Sequence, residues 1–309
     1  MADPAIVFAS NFDASFRSLT HGFSHNEIPL FQAMHSALIG LSGKFQIEEY
    51  HGTSHQVMFT GNSNYARTHA RCELSDLMIV TYSSISHHAR LTYLQAKSER
   101  ATLPSVCGRA FSANLEQWFL LSTRPHIVGA GSFNPPFDLL SNALLPSVGS
   151  FAFFYKDVGG DFQTYYAVAN HMAPPATYSK RYGKLQAVGP CMVVNNAGHA
   201  ECLAACGNSS FAKSLYRLEI GTPVHSAIPQ SLSTRNWLSA NLRFQIQNAR
   251  EADRPSGLAQ ELLELLEPEE RQASSSSFGA KNLIIIKSEA EPNPSFNRDA
   301  LKRAPYVIR

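Results

Sequence analysis

Asp76, Gln95 and Lys97 are the residues whose types and spacing suggest chemistry. Gln95 and Lys97 sit two apart at the end of LTYLQAK, a run shaped like a buried strand, so they share one strand face. Asp76 immediately precedes a second strand-like run, LMIVTY. Between the runs lies the polar SSISHHA, with no strong period. Two strands in close succession predict an antiparallel hairpin. With the turn centred near Ser86, pairing puts Asp76 close to Ala96, between Gln95 and Lys97.

A carboxylate, an amide oxygen and a main-chain carbonyl at one point suit a hard divalent cation such as magnesium. Asp76, Gln95 and the Ala96 backbone are the candidate ligands. Lys97 could stabilise a metal-bound hydroxide or the charge that builds on a phosphate under attack. Glu27, at the start of a predicted helix, could complete the site through the metal or a water; Glu48, Glu49 and Glu73 compete with it for that role.

The elements that must position these groups are legible in outline. EIPLFQAMHSALIGL, residues 27–41, predicts a helix with Asn26 as its cap, Pro29 in its first turn and Ser42-Gly43 as its stop. QIEEYHG and HQVMFTG suggest short strands, and ANLEQWFLLS predicts a helix. SFAFFYK, TYYAVAN, AVGPCMVV and SLYRLEI read as β-rich pieces. Residues 236–249 suggest a helix, although NLRFQIQ also fits a strand. Composition shifts near residue 250: EADRPSG reads as a linker, GLAQELLELLEPEE as a short amphipathic helix, SSSS as a joint, and NLIIIKS as a late strand. The expected division is a domain over 1–250, then linker, helix and tail over 251–309.

Glu27 on an early helix, SD at 75–76 and QAK at 95–97 together resemble the PD-(D/E)XK nuclease superfamily, over roughly residues 25–125. The resemblance implies an α/β fold with a restriction-endonuclease-like core, a mixed sheet flanked by helices; here a β-rich elaboration follows. It implies magnesium-dependent hydrolysis of nucleic-acid phosphodiesters, DNA in the first instance, with manganese as a substitute. Asp76 and Gln95 would then be metal ligands and Lys97 the catalytic lysine. Gln117, on the helix after the QAK strand, would face the site. Bacterial anti-phage defence or restriction is the implied setting, with an ATPase or helicase partner or self-association. Two residues depart from the pattern: Ser75 stands in place of proline, and Gln95 in place of an acid. The second loses a negative charge and motivates the alternative of an inactive module that binds nucleic acid or a protein.

The chain of 309 residues is 44% apolar and 16% charged, which predicts a substantial core. A formal charge of +2 gives no global basic field, so any phosphate groove must be local. Arg90, Arg100, Lys180, Arg181 and Lys184 are its candidates; YSKRYGK interleaves basic and aromatic residues as backbone tracking and base stacking require. His199, Cys202 and Cys206, with Cys191 upstream, offer a zinc site or else small buried thiols on a helix. The histidines of HGTSH and His87-His88 fall in expected loops. Neither a P-loop nor a GxSxG elbow occurs. Five cysteines without a disulfide spacing, and no apolar run of roughly 20 residues, fit a reducing cytoplasmic compartment and no membrane.

Overall fold

The computed structural model of the chain describes residues 2–42, 56–62, 64–103, 106, 108–130, 133–175, 181–188, 193–196, 199–225, 228–248, 257–266 and 280–289. Helices α1 (Pro4–Thr20) and α2 (Glu27–Ser42) come first. Short strands β1 (Gln56–Phe59) and β2 (Ala70–Glu73) lead into the long hairpin of β3 (Ser75–Ser83) and β4 (His88–Thr102). Strand β5 (Ala110–Asn114) runs directly into α3 (Leu115–Thr123), and β6 (Val128–Gly129) follows. Next come β7 (Gly149–Lys156), β8 (Phe162–Val168), β9 (Met172–Ala173), β10 (Tyr182–Ala187), β11 (Val193–Asn196), β12 (His199–Cys202) and β13 (Ala204–Cys206). The remainder is α4 (Asn208–Tyr216), β14 (Thr222–Pro223), α5 (Leu232–Asn248), α6 (Gly257–Leu266) and β15 (Ala280–Lys287).

The central sheet has seven strands in the order β13-β8-β7-β4-β3-β15, with β14 joined to β4. It is mixed: β4–β7 and β3–β15 are parallel, while β3–β4 and β7–β8 are antiparallel. Helices cover both faces, which is why β3 and β7 read as nearly unbroken apolar runs rather than as alternating ones. Leu77, Ile79, Leu94 and Ala96 face the layer of α1, α2 and α4. Met78, Val80, Leu91 and Tyr93 face α3, α5, α6 and β5. The chain is thus an α/β protein with a mixed sheet between helical layers.

Local sequence explains the elements that hold the hairpin. Asp3 caps α1 by accepting a hydrogen bond from the Ala5 N–H, and Pro4 sits at its first position. Phe8, Phe12 and Phe16, spaced by four, bury one stripe of that helix. Asn114 caps α3 by accepting from the Glu116 N–H. Residues 84–87 close the β3–β4 hairpin, with His87 in the left-handed region at φ 54°.

Several expectations change. NLIIIKS is the strand expected, but it does not stand apart from the first 250 residues: β15 pairs with β3 inside the sheet, and Ala259, Leu262 and Leu266 of α6 enter the core. The HAEC and AAC pieces are strands, not a helix, because Ala204–Cys206 extend the sheet against β8. The start of SLYRLEI belongs to helix α4, whose Phe211, Ala212 and Leu215 pack on the sheet. NLRFQIQ is helical, with Trp237, Leu238 and Leu242 buried by α5. YGK, the end of the YSKRYGK run, belongs to β10, which pairs with β5. QIEEYHG, EADRPSG and SSSS lie outside the described residues.

Candidate active site

The hairpin register pairs Leu77 with Leu94 and Met78 with Tyr93. One step further along it, Asp76 stands opposite Gln95, one residue from the position expected from loop symmetry. Alternation then points Asp76 and Gln95 to the same sheet face as Met78 and Tyr93. The Asp76 Oδ2 accepts a hydrogen bond from the Ala96 N–H at 2.9 Å. The Lys97 Nζ donates to the Ala96 carbonyl at 2.6 Å and to the Glu27 Oε1 at 3.3 Å. Asp76, Ala96, Lys97 and Glu27 are therefore linked by hydrogen bonds, although Glu27 lies on α2 and Lys97 on β4.

Gln95 is fully buried, and neither its Oε1 nor its Nε2 has a hydrogen-bond partner among the described residues. An orphaned buried amide costs about 1–3 kcal/mol. On β7 its neighbour is Phe151, which offers no polar atom in return. Ala96 needs a correction: it meets Asp76 through its N–H, not its carbonyl, and the carbonyl is already held by the Lys97 ammonium. Gln117 is buried on α3, and among the described residues it makes no hydrogen bond to Asp76, Gln95 or Lys97.

As a donor set for a hard cation, the site offers the Asp76 carboxylate and the orphaned Gln95 amide oxygen, with Glu27 one ion pair away. Among the described residues no three His, Cys, Asp or Glu side chains form a metal-holding group, so a cation here would rely on the amide and on water. The same observation bears on zinc: Cys202 is buried and its Sγ donates to the Ala204 carbonyl at 3.4 Å, while Cys191 lies outside the described residues.

The basic candidates separate. Arg100 and Lys184 are exposed, and Lys180 lies outside the described residues. Arg181 pairs with Glu116 at 3.2 Å. Arg90 does not line a groove: it is 6% exposed, and its Nη1 donates to the Gly221 carbonyl at 3.1 Å. Burial lowers the Arg90 guanidinium to about 10, against the pull of Glu201 and Glu219. Glu116 was not anticipated from the sequence. Burial raises its carboxyl, but hydrogen bonds and charge from Arg67 and Arg181 outweigh that and hold it below its ordinary value. Arg67 lies 49 residues from Glu116, so no local pattern announces the pair.

Comparison with protein-family models, curated proteins and solved structures yields no match. Among the described residues no helix is long and apolar enough to cross a membrane.

Proposed function

We propose that the chain is a metal-dependent nuclease whose active site is the Asp76–Gln95–Lys97 end of the hairpin. The observation that carries this reading is the buried Gln95 amide, without a partner among the described residues, set opposite a carboxylate and two residues from an ammonium. Single hydroxyl, carboxyl or amide atoms are also open elsewhere among the described residues, at Tyr93 and Ser98 for example, but Gln95 has both its amide atoms open beside ionic groups, and we read that as room for a ligand.

Asp76 and Gln95 would hold magnesium or manganese, which supplies Lewis acidity to a bound phosphate and its attacking water. The Ala96 N–H fixes one Asp76 oxygen and so orients the carboxylate. Lys97 carries the positive charge that meets the negative charge gathering on phosphate oxygens. Glu27 steers that ammonium from the first residue of α2. Arg100, exposed three residues beyond Lys97, would contact the substrate backbone.

Incubation of the purified protein with plasmid DNA, single-stranded DNA and RNA tests the reading. Cleavage with magnesium or manganese, and none with chelator, is expected. Absence of cutting of every substrate with either metal would overturn it. A second reading, a non-catalytic module of the same build, draws on two observations. An amide stands where the nuclease pattern has an acid, and the Ala96 carbonyl is held by Lys97. Substrate binding without cleavage would favour it.

A further inference from the structure

We propose that Arg67, Arg181, Tyr182 and Lys184 form a surface that holds single-stranded nucleic acid; its ligand class rests on the nuclease reading, its geometry does not.

Glu116, at the second position of α3, is 1% exposed and accepts from two arginines. Arg67 grips it bidentately, Nε to Oε1 at 2.7 Å and Nη2 to Oε2 at 3.1 Å, and its own backbone N–H adds a third bond at 3.3 Å. Arg181 approaches the second oxygen with Nε at 3.2 Å. Both side chains nevertheless remain open to solvent, at 63% and 44% exposure. One guanidinium suffices to neutralise one buried carboxylate. The second leaves positive charge at the surface, on forks whose orientation is already fixed and whose remaining N–H groups have no other partner among the described residues. Such pre-ordered forks match phosphate oxygens and lose little freedom on binding.

The strand that follows Arg181 supplies the rest. The Leu115 N–H donates to the Arg181 carbonyl at 2.8 Å, which pins the start of β10 to the start of α3. Tyr182 and Lys184 are both exposed and, two apart, share one face of β10. The Arg181 guanidinium lies 5.9 Å from the Tyr182 ring centre. An exposed phenol beside fixed guanidiniums suits an unpaired base stacked next to its own phosphate, which a duplex does not present. Glu73, at the end of β2, is another carboxylate in this neighbourhood, and the three cations still outnumber it and Glu116. The buried side of the same layer places the Phe111 ring 4.5 Å from Phe153, the β7 neighbour of Lys97. The surface therefore lies over the strand row that carries the catalytic candidate.

Fluorescence anisotropy with a labelled oligothymidylate of about 20 nucleotides, in chelator, tests this directly. Tyr182→Ala and Lys184→Ala leave the Glu116 bonds intact. Tyr182→Ala should weaken binding roughly 5- to 100-fold with an unchanged melting temperature. Lys184→Ala should also flatten the slope of log affinity against log salt by about 0.7. Glu116→Gln should weaken binding as well, because the forks lose their anchor. Wild-type affinity and salt slope in Tyr182→Ala and Lys184→Ala would overturn the proposal, as would tighter binding of a duplex of equal length. Asp76→Ala separates the two readings. Strand binding that needs Tyr182 but never leads to cutting leaves this surface standing and removes the nuclease. Cutting by a protein whose Tyr182 and Lys184 variants bind normally does the reverse.

Discussion

Strand β4 carries ionic side chains at two places, about 20 Å apart along the chain, and they are built in opposite ways. Near its start, Arg90 is buried among Glu201 and Glu219, themselves 2% and 7% exposed. Every charge there has a neutral partner as well. Arg90 donates to the Gly221 carbonyl, the Ser147 N–H donates to Glu201 at 3.1 Å, and the Ser214 hydroxyl donates to Glu219 at 2.9 Å. Gly221 reaches this place only as glycine: its φ is +95°, and a Cβ would stand 2.7 Å from the Leu91 carbonyl oxygen. Further along β4 the order reverses. Asp76, Lys97 and Glu27 reach solvent, whereas the neutral Gln95 is sealed in without a partner among the described residues. A buried charge with opposite charges nearby and a hydrogen bond made is what a stable fold requires. A buried amide with both polar atoms open is a cost to folding, and that contrast is the reason the proposed site is placed at the second end.

The largest effects should separate the two ends. Asp76→Ala and Lys97→Ala should each reduce cleavage at least about 100-fold, while thermal melting stays near wild type. Arg90→Met should do the opposite. It strands Glu201 and Glu219 in the interior and should cost about 3–5 kcal/mol in denaturant unfolding, with cleavage per folded molecule retained. If Arg90→Met lost activity without losing stability, the roles of the two ends would have to be exchanged.

Gln95→Leu tests the orphaned amide itself. If the amide waits for a ligand, its removal should raise stability by about 1–3 kcal/mol and abolish binding of manganese, read by paramagnetic resonance. A fall in stability would show that the amide has a structural partner. Gln95→Glu restores the acid of the nuclease pattern and should tighten manganese binding.

The Arg90 end also has a pH signature of definite sign. Burial raises the carboxyls of Glu201 and Glu219 above their ordinary values, against the hydrogen bonds from Ser147 and Ser214 and the charge of Arg90. A folded-state value above the unfolded one, about 4.3 for glutamate, means that the folded chain holds the proton more tightly. That contribution is full below the unfolded value and fades as pH rises through the folded one. Glu201→Gln should therefore flatten the loss of melting temperature on going from acid towards neutral pH. Glu116 runs the other way. Its lowered carboxyl stabilises the fold above the unfolded value, and the contribution fades as pH falls through the folded one.

How much of this was legible in the sequence follows the same division. The hairpin was readable because its two strands are adjacent, and loop symmetry misplaced Asp76 by one residue, enough to exchange an N–H for a carbonyl at Ala96. Helices α2 and α3 were readable from local residues. Arg90 looked like a surface base because its partners, Glu201 on β12 and Glu219 between α4 and β14, lie more than a hundred residues away. NLIIIKS was legible as a strand but its place in the sheet was not, for the same reason, since its parallel partner β3 lies far upstream. HAECLAAC has small residues compatible with either a helix or a strand, and the open edge of β8 decided between them. Local periodicity finds elements; it does not say which distant group will neutralise a charge.

The smallest expected effect is at Glu27, and it sharpens what that residue does. The Lys97–Glu27 pair is 3.3 Å long, with side-chain exposures of 15% and 43%. A pair this open should contribute no more than about 1 kcal/mol, so Glu27→Gln should melt within a few degrees of wild type. A glutamine oxygen can still accept from the Lys97 ammonium. If Glu27 only steers Lys97, Glu27→Gln should therefore cut at close to the wild-type rate, with the same manganese requirement. If Glu27 also reaches the cation, the manganese concentration for half-maximal cutting should rise while the rate at saturation recovers. A fall in the saturated rate without any change in metal requirement would place Glu27 in neither role and return the choice to Glu73, at the end of the strand before Asp76.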